Sequence, residues 1–129
     1  MGEVGEELLK IAEREILSWP GVSKEEMDGG TGRGGFRVPS ATVYRFGRRH
    51  IGHIHNTGVA DITFPKKVHT ELISEGKATP HPAGFAGVVS LRIRKPEDVP
   101  DAVELFRRSY ELAKAAAERR AALQDEPIR

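Results

Sequence analysis

The chain has 129 residues, with 20 Lys+Arg against 19 Asp+Glu, five His, no Cys and 38% hydrophobic residues, which is one domain's worth and enough apolar content to bury a single core. Without cysteine it can form no disulfide, thiolate metal site or cysteine nucleophile, and a formal net charge of +1 exerts no global pull on nucleic acid. No apolar run approaches the roughly 20 residues of a membrane helix and the acidic N-terminus is unlike a signal peptide, so the expectation is one domain over 1–129, cytoplasmic and off the membrane.

Val4, Leu8, Ile11, Ala12, Ile16 and Trp19 recur at three- and four-residue spacing with Glu and Lys between them, which predicts an amphipathic helix over 4–18. Trp19-Pro20-Gly21 ends it, with Trp19 as a packing anchor. Residues 28–35 hold five Gly, so they have little to bury and much backbone entropy to lose, and a mobile loop is expected. A phosphate-cradling loop would need Gly-Lys-Ser/Thr opening a helix, whereas Phe36-Arg37-Val38 follows here.

Strand character appears in 36–38, 41–46, 49–55, 59–64 and 87–94. Gly47-Arg48 suits a type II′ hairpin, which pairs Phe46 with Arg49, Tyr44 with Ile51 and Thr42 with His53, placing aromatics and imidazoles on one face. Pro65, the stripe Val68, Leu72, Ile73, and Gly76 predict a second helix over 65–75. A Pro- and Gly-punctuated loop over 77–86 precedes the last strand. Val99, Ala102, Val103, Phe106, Tyr110, Ala113 and Ala117 mark a long helix over 98–120, and residues 124–129 are expected to fray. This order predicts an α+β fold: an antiparallel sheet of about five strands with the three helices packed mainly on one face, a two-layer sandwich.

His53 and His55 stand at i, i+2 on a strand, so their imidazoles share a side about 6 to 7 Å apart at the backbone. That is a metal-ligand spacing, with Asp61 and His81 as further donor types. Without a metal the same residues could form a polar site in which His53 or His55 acts as base and Asp61 as orienter; the cofactor is left unknown, and the sequence itself requires none. Structural roles for the same histidines stay open. Tyr44, Phe46 and Ile51 form either core, the preferred reading, or the apolar lining of a pocket.

Arg45, Arg48, Arg49 and His50 cluster at the hairpin, with Arg33, Arg37, Lys66 and Lys67 as candidate neighbours and Arg92 and Arg94 on the last strand. They could contact phosphate, or guard an edge against aggregation. The Ala-rich stripe of the last helix leaves monomer and homodimer both open.

Ser18-Trp19-Pro20-Gly21-Val22, the string Phe46-Gly47-Arg48-Arg49-His50-Ile51-Gly52-His53-Ile54-His55, Asp61-Ile62-Thr63-Phe64-Pro65, Gly76-Lys77-Ala78 with His81, and Ser109-Tyr110 together resemble the luciferase-domain family, named after the fungal luciferase and found in many bacterial proteins. The resemblance runs over about 7–117. It implies the α+β fold; the fungal enzyme oxidises a hydroxylated hispidin-type luciferin with molecular oxygen, whereas bacterial relatives lack an established reaction, so light emission is not carried over. Two positions depart from the pattern: His50 stands where an acidic residue is usual, and Gly84-Phe85-Ala86-Gly87-Val88 replaces a common Asp-Ser-Gly-Trp stretch, which alters any pocket that Trp walls. The closing strand and helix with Ser109-Tyr110-Glu111-Leu112 are more loosely similar to the MmcQ/YjbR domains, in architecture only.

The functional expectation is a domain binding a small aromatic or carbonyl-bearing molecule, with oxygen-dependent or acid/base chemistry at His53, His55, Asp61 and His81. Tyr44, Arg45, Arg49, Ile51 and Phe64 are the expected ligand-binding set, with Arg45 or Arg49 holding developing negative charge. The alternative is a non-catalytic module whose basic hairpin binds nucleic acid or an acidic partner.

Overall fold

The computed structural model of the chain describes residues 2–31, 33–35 and 37–124. Met1, Gly32, Phe36 and residues 125–129, with the side chains of Glu3, Val4 and Arg33, lie outside the described residues. Part of the expected glycine loop, the start of one expected strand and most of the tail expected to fray fall there, whereas Gln124 of that tail is the last residue of a helix.

The chain runs α1 (Gly2–Leu17), β1 (Val22–Met27), β2 (Gly30–Thr31), a 3-10 turn (Arg33–Gly35), β3 (Arg37–Val38), β4 (Ala41–Phe46), β5 (Arg49–His55), β6 (Val59–Thr63), α2 (Lys66–Ser74), β7 (Thr79–Pro80), β8 (Val88–Arg92) and α3 (Asp98–Gln124). Six strands form one antiparallel sheet in the order β1-β4-β5-β6-β8-β7, and β2 pairs with β3 separately. The α+β expectation holds, with a sixth strand where about five were expected. No helix among the described residues is long and apolar enough to cross a membrane.

Most elements follow their sequence signals. Gly76 takes φ 73° beyond α2, where its N–H bonds the Ile73 carbonyl and that of Lys77 bonds Leu72, satisfying the helix's last acceptors. Two strands of the six-stranded sheet were not expected. β1 is polar and exposed beyond Val22, and β7 is two residues long within the expected loop. The glycine stretch is also not a plain loop, because Gly30–Thr31 pairs with Arg37–Val38.

The helices bury one face of the sheet. Leu8, Ala12 and Ile16 of α1, Leu72 of α2, and Ala102, Leu105, Phe106, Tyr110 and Ala113 of α3 join sheet residues Tyr44, Ile51, Ile54 and Ile62 in one core. Ile11 departs from the expected stripe and is 45% exposed. Phe106 meets Tyr44 edge-on at 5.7 Å, and Tyr110 packs on Trp19 and Phe46, each at 5.4 Å. The buried Ser109 hydroxyl lies 2.9 Å from the carbonyls of both Ile51 and Thr63, tying α3 to β5 and β6.

The β4–β5 hairpin corrects the expected register. Gly47 has the positive φ, 61°, that a II′ turn uses, and Phe46 pairs with Arg49 as expected. Beyond Arg45 opposite His50 the register shifts, so Tyr44 faces Gly52 and Val43 faces His53. Ile51 is the extra residue of a β-bulge. Ile51 and Gly52 both turn toward α3, where Ile51 is fully buried and Gly52 lies under the Phe106 ring. The aromatics and the imidazoles therefore occupy opposite faces, not the shared face that simple alternation predicts.

Candidate functional site

The open face carries a row that the register dictates. Val43 on β4, His53 on β5, Asp61 on β6, Ser90 on β8 and Thr79 on β7 stand opposite one another in turn, and side chains directly opposite in an antiparallel ladder lie within reach of each other. His55 is two residues along from His53, and the bulge keeps His50 on the same side.

Asp61 is the hub. It is 2% exposed; its Oδ1 accepts the Ser90 hydroxyl at 2.5 Å, and its Oδ2 lies 3.1 Å from Nε2 of both His53 and His55 and 3.7 Å from Nε2 of His81. The other ring nitrogens fix the tautomers. His55 Nδ1 donates to the Pro39 carbonyl at 3.1 Å, so Nδ1 carries a proton. His81 Nδ1 accepts the Ala83 N–H at 3.0 Å, so the proton of a neutral His81 sits on Nε2 and points toward Asp61. His53 Nδ1 meets His50 Nε2 at 3.1 Å. With Nε2–H of His53 donating to Asp61, Nδ1 accepts from His50.

Burial pushes the Asp61 carboxyl up, but hydrogen bonds from His53, His55 and Ser90 outweigh it and hold it well below the usual carboxylate range. Asp61 raises His55 in return, against the effect of burial and with help from the Pro39 carbonyl. Burial and the positive charge of neighbouring groups push His50 down to about 4. Between pH 6.5 and 4, therefore, an unfolded His50 takes a proton that the folded one refuses. Over that interval Asp61 stays ionised and His55 stays charged, so neither opposes the change. Urea denaturation with EDTA present is expected to show stability dropping by roughly 1–2 kcal/mol as the pH falls through this window, and His50→Gln to abolish the drop.

Residues 48–109 match the family model described as the luciferase domain. Over that stretch, just under half of its length, the chain is similar to the luciferase domain. The match takes in the hairpin end, the three histidines around Asp61 and Ser109, and is shorter than the stretch over which the sequence resembles the family. No curated protein and no solved structure gives a significant match. The likeness to MmcQ/YjbR domains is not among the findings.

Within the matched stretch the four residues expected to carry chemistry, His53, His55, Asp61 and His81, come together at Asp61 Oδ2. The expected ligand-lining residues do not join them. Tyr44, Ile51 and Phe64 are 1%, 0% and 6% exposed within the core. Arg45 shares the open face but is paired with Glu25 at 3.1 Å, and Arg49 lies opposite Phe46, on the helix side of the sheet. A cavity of about 390 Å³ opens between α1, β1 and β4 beside Glu13, Glu26 and Tyr44, and its lining includes none of the four. Three participants were missed. His50 was read with the basic hairpin, Ser90 carried no signal beyond strand alternation, and Phe85 was noted only as a departure from the family pattern. Phe85 is 60% exposed, with its ring 4.8 Å from that of His81.

Proposed function

We propose that this domain binds a small planar molecule bearing a carbonyl or acidic hydroxyl on the open face of its sheet, and exchanges a proton with it. The observation that carries the reading is the buried Asp61 carboxylate shared by the Nε2 atoms of His53 and His55. Clustered titratable groups with displaced pKa values are what acid/base chemistry uses. The proton between His55 and Asp61 is the one the site can give to a bound carbonyl oxygen or take back from a hydroxyl, and His53 and His50 extend the chain of ring nitrogens. The exposed Phe85 ring beside His81 offers a planar molecule a stacking surface.

The test uses 4-hydroxy-2-pyrone, which has a carbonyl and an acidic hydroxyl on one flat ring, titrated in EDTA and followed by amide chemical shifts. Saturable shifts at residues around His55 and Phe85 are expected, with binding weakened about tenfold, or 1.4 kcal/mol, by Phe85→Ala and by His55→Gln. Affinity should change little between low and moderate salt. Absence of saturable shifts at the cluster counts against the proposal, and shifts centred on Arg48 and Arg49 that vanish steeply with salt point to the basic hairpin and a phosphate partner.

A further inference from the structure

We infer that His53 Nε2, His55 Nε2 and Asp61 Oδ2 form a three-ligand site for one divalent first-row transition ion, with His81 beside it as a hydrogen-bond donor and not as a ligand. The inference takes the Asp61 cluster as the functional centre, as the preceding reading does, and adds the ion that it holds.

His55 Nδ1 gives its proton to the Pro39 carbonyl, so a neutral His55 presents a bare Nε2 lone pair 3.1 Å from a carboxylate oxygen. Two lone pairs held that close on packed strands need a cation between them, either a proton or a metal. A ring whose Nδ1–H is anchored on a backbone carbonyl is oriented as metal-bound histidines are. His53 has the matching arrangement: when Nε2 binds an ion, Nδ1 carries the proton and donates it to His50 Nε2, with the His50 proton on its own Nδ1.

The distances agree. Donors about 2.1 Å from a shared ion at angles between about 95° and 110° lie about 3.1 to 3.4 Å apart; each imidazole nitrogen is 3.1 Å from Asp61 Oδ2. The three atoms lie within 4.8 Å of one another, so binding an ion requires the rings to rotate inward until the widest pair reaches about 3.4 Å. The His53 and His55 side chains are 24% and 13% exposed, which leaves the solvent side of the ion for water or an oxygen ligand.

His81 is excluded by its partner. Its Nδ1 accepts the Ala83 N–H, so ligation through Nε2 would require a ring without either proton. It lies farther out, at 3.7 Å, and in its neutral form it offers an N–H toward the open side of the ion. Two nitrogens and one carboxylate oxygen with free positions is a donor set used by non-haem iron(II) and by catalytic zinc. Intermediate donors and an incomplete shell point to that class over calcium or magnesium.

The experiment titrates tag-free, metal-stripped protein with zinc chloride by calorimetry and with cobalt(II) by visible absorption. One equivalent should bind the wild-type chain, with affinity at least about tenfold lower in His55→Gln and in Asp61→Asn and little changed in His81→Gln. Histidine side-chain ¹⁵N spectra of the zinc-loaded wild type repeat the test without a variant: Nε2 of His53 and His55 should move to metal-bound shifts while His81 does not. No zinc uptake by the folded wild type, equal binding in all variants, or ligation by His81 in place of His55 overturns the inference. The pyrone titration is run in EDTA, so loss of metal binding leaves that reading standing, and loss of pyrone binding leaves this one.

Discussion

Gly52→Ala is expected to destabilise the domain by about 2–3 kcal/mol, a large effect for one methyl group on a β-strand. A Cβ at Gly52 would run into Cε1 of Phe106, with Cζ at 3.0 Å and the Asp61 carbonyl at 3.1 Å. Phe106 cannot withdraw easily, because it is fully buried with Tyr44 packed edge-on against it. On the same helix Ser109 and Tyr110 hold α3 to the sheet and to the Pro20 carbonyl, so relief requires α3 to lift from β5. Phe106→Leu should cost less, about 1–2 kcal/mol, and in the double variant the two losses should not add, since the smaller side chain makes room for the methyl. Urea denaturation of the four chains measures this coupling; additive losses would show that Gly52 and Phe106 do not meet as described.

The same contact explains how much of the fold the sequence disclosed. The helices were legible because their burial is periodic, and the central strands because short apolar and β-branched runs over 41–46, 49–55 and 59–64 are bounded by turn residues. β1 was not, because it is an edge strand: Lys24, Glu25 and Glu26 are exposed, and Lys24 and Glu25 are held by ion pairs to Glu13 and Arg45. The bulge was the costly omission. Strict alternation along β5 puts Ile51 with His53, yet the gain from burying Ile51 under α3 beside Gly52 shifts the register by one residue, and a one-residue shift turns every following side chain over. His53, His55, Asp61 and His81 were legible as chemistry-bearing residue types, and the i, i+2 spacing kept the histidine pair on one side whatever the register. Which residues surround them depends on pairing that no local pattern records. Asp61 meets Ser90 across a strand pair joined through α2 and β7, and His50 reaches His53 only because of the bulge.

Asp61→Ala is expected to cost about 3–4 kcal/mol, the largest loss of any single polar substitution in this domain. The carboxylate holds the Ser90 hydroxyl and two imidazoles, and without it both imidazoles lose their anionic partner and Ser90 keeps a buried hydroxyl with no acceptor. Asp61→Asn should lose less, about 1–2 kcal/mol, since one oxygen remains to accept. These losses measure how badly a broken cluster fares, and leave open whether the intact cluster benefits the fold. The decisive chain replaces the whole set, His53→Leu, His55→Val and Asp61→Val together with Ser90→Ala, with apolar groups of similar bulk. Removing every member of a buried charged set is commonly neutral or stabilising, because desolvation costs about what the pairing returns. The quadruple variant should therefore recover to within about 1 kcal/mol of the wild type, while zinc and pyrone binding are lost. If it stays as unstable as Asp61→Ala, the cluster is a structural element. Recovery without binding would mean that the fold gains nothing from a carboxylate beneath three imidazoles, and that its place in the sheet is explained by the cation and the oxygen ligand it receives.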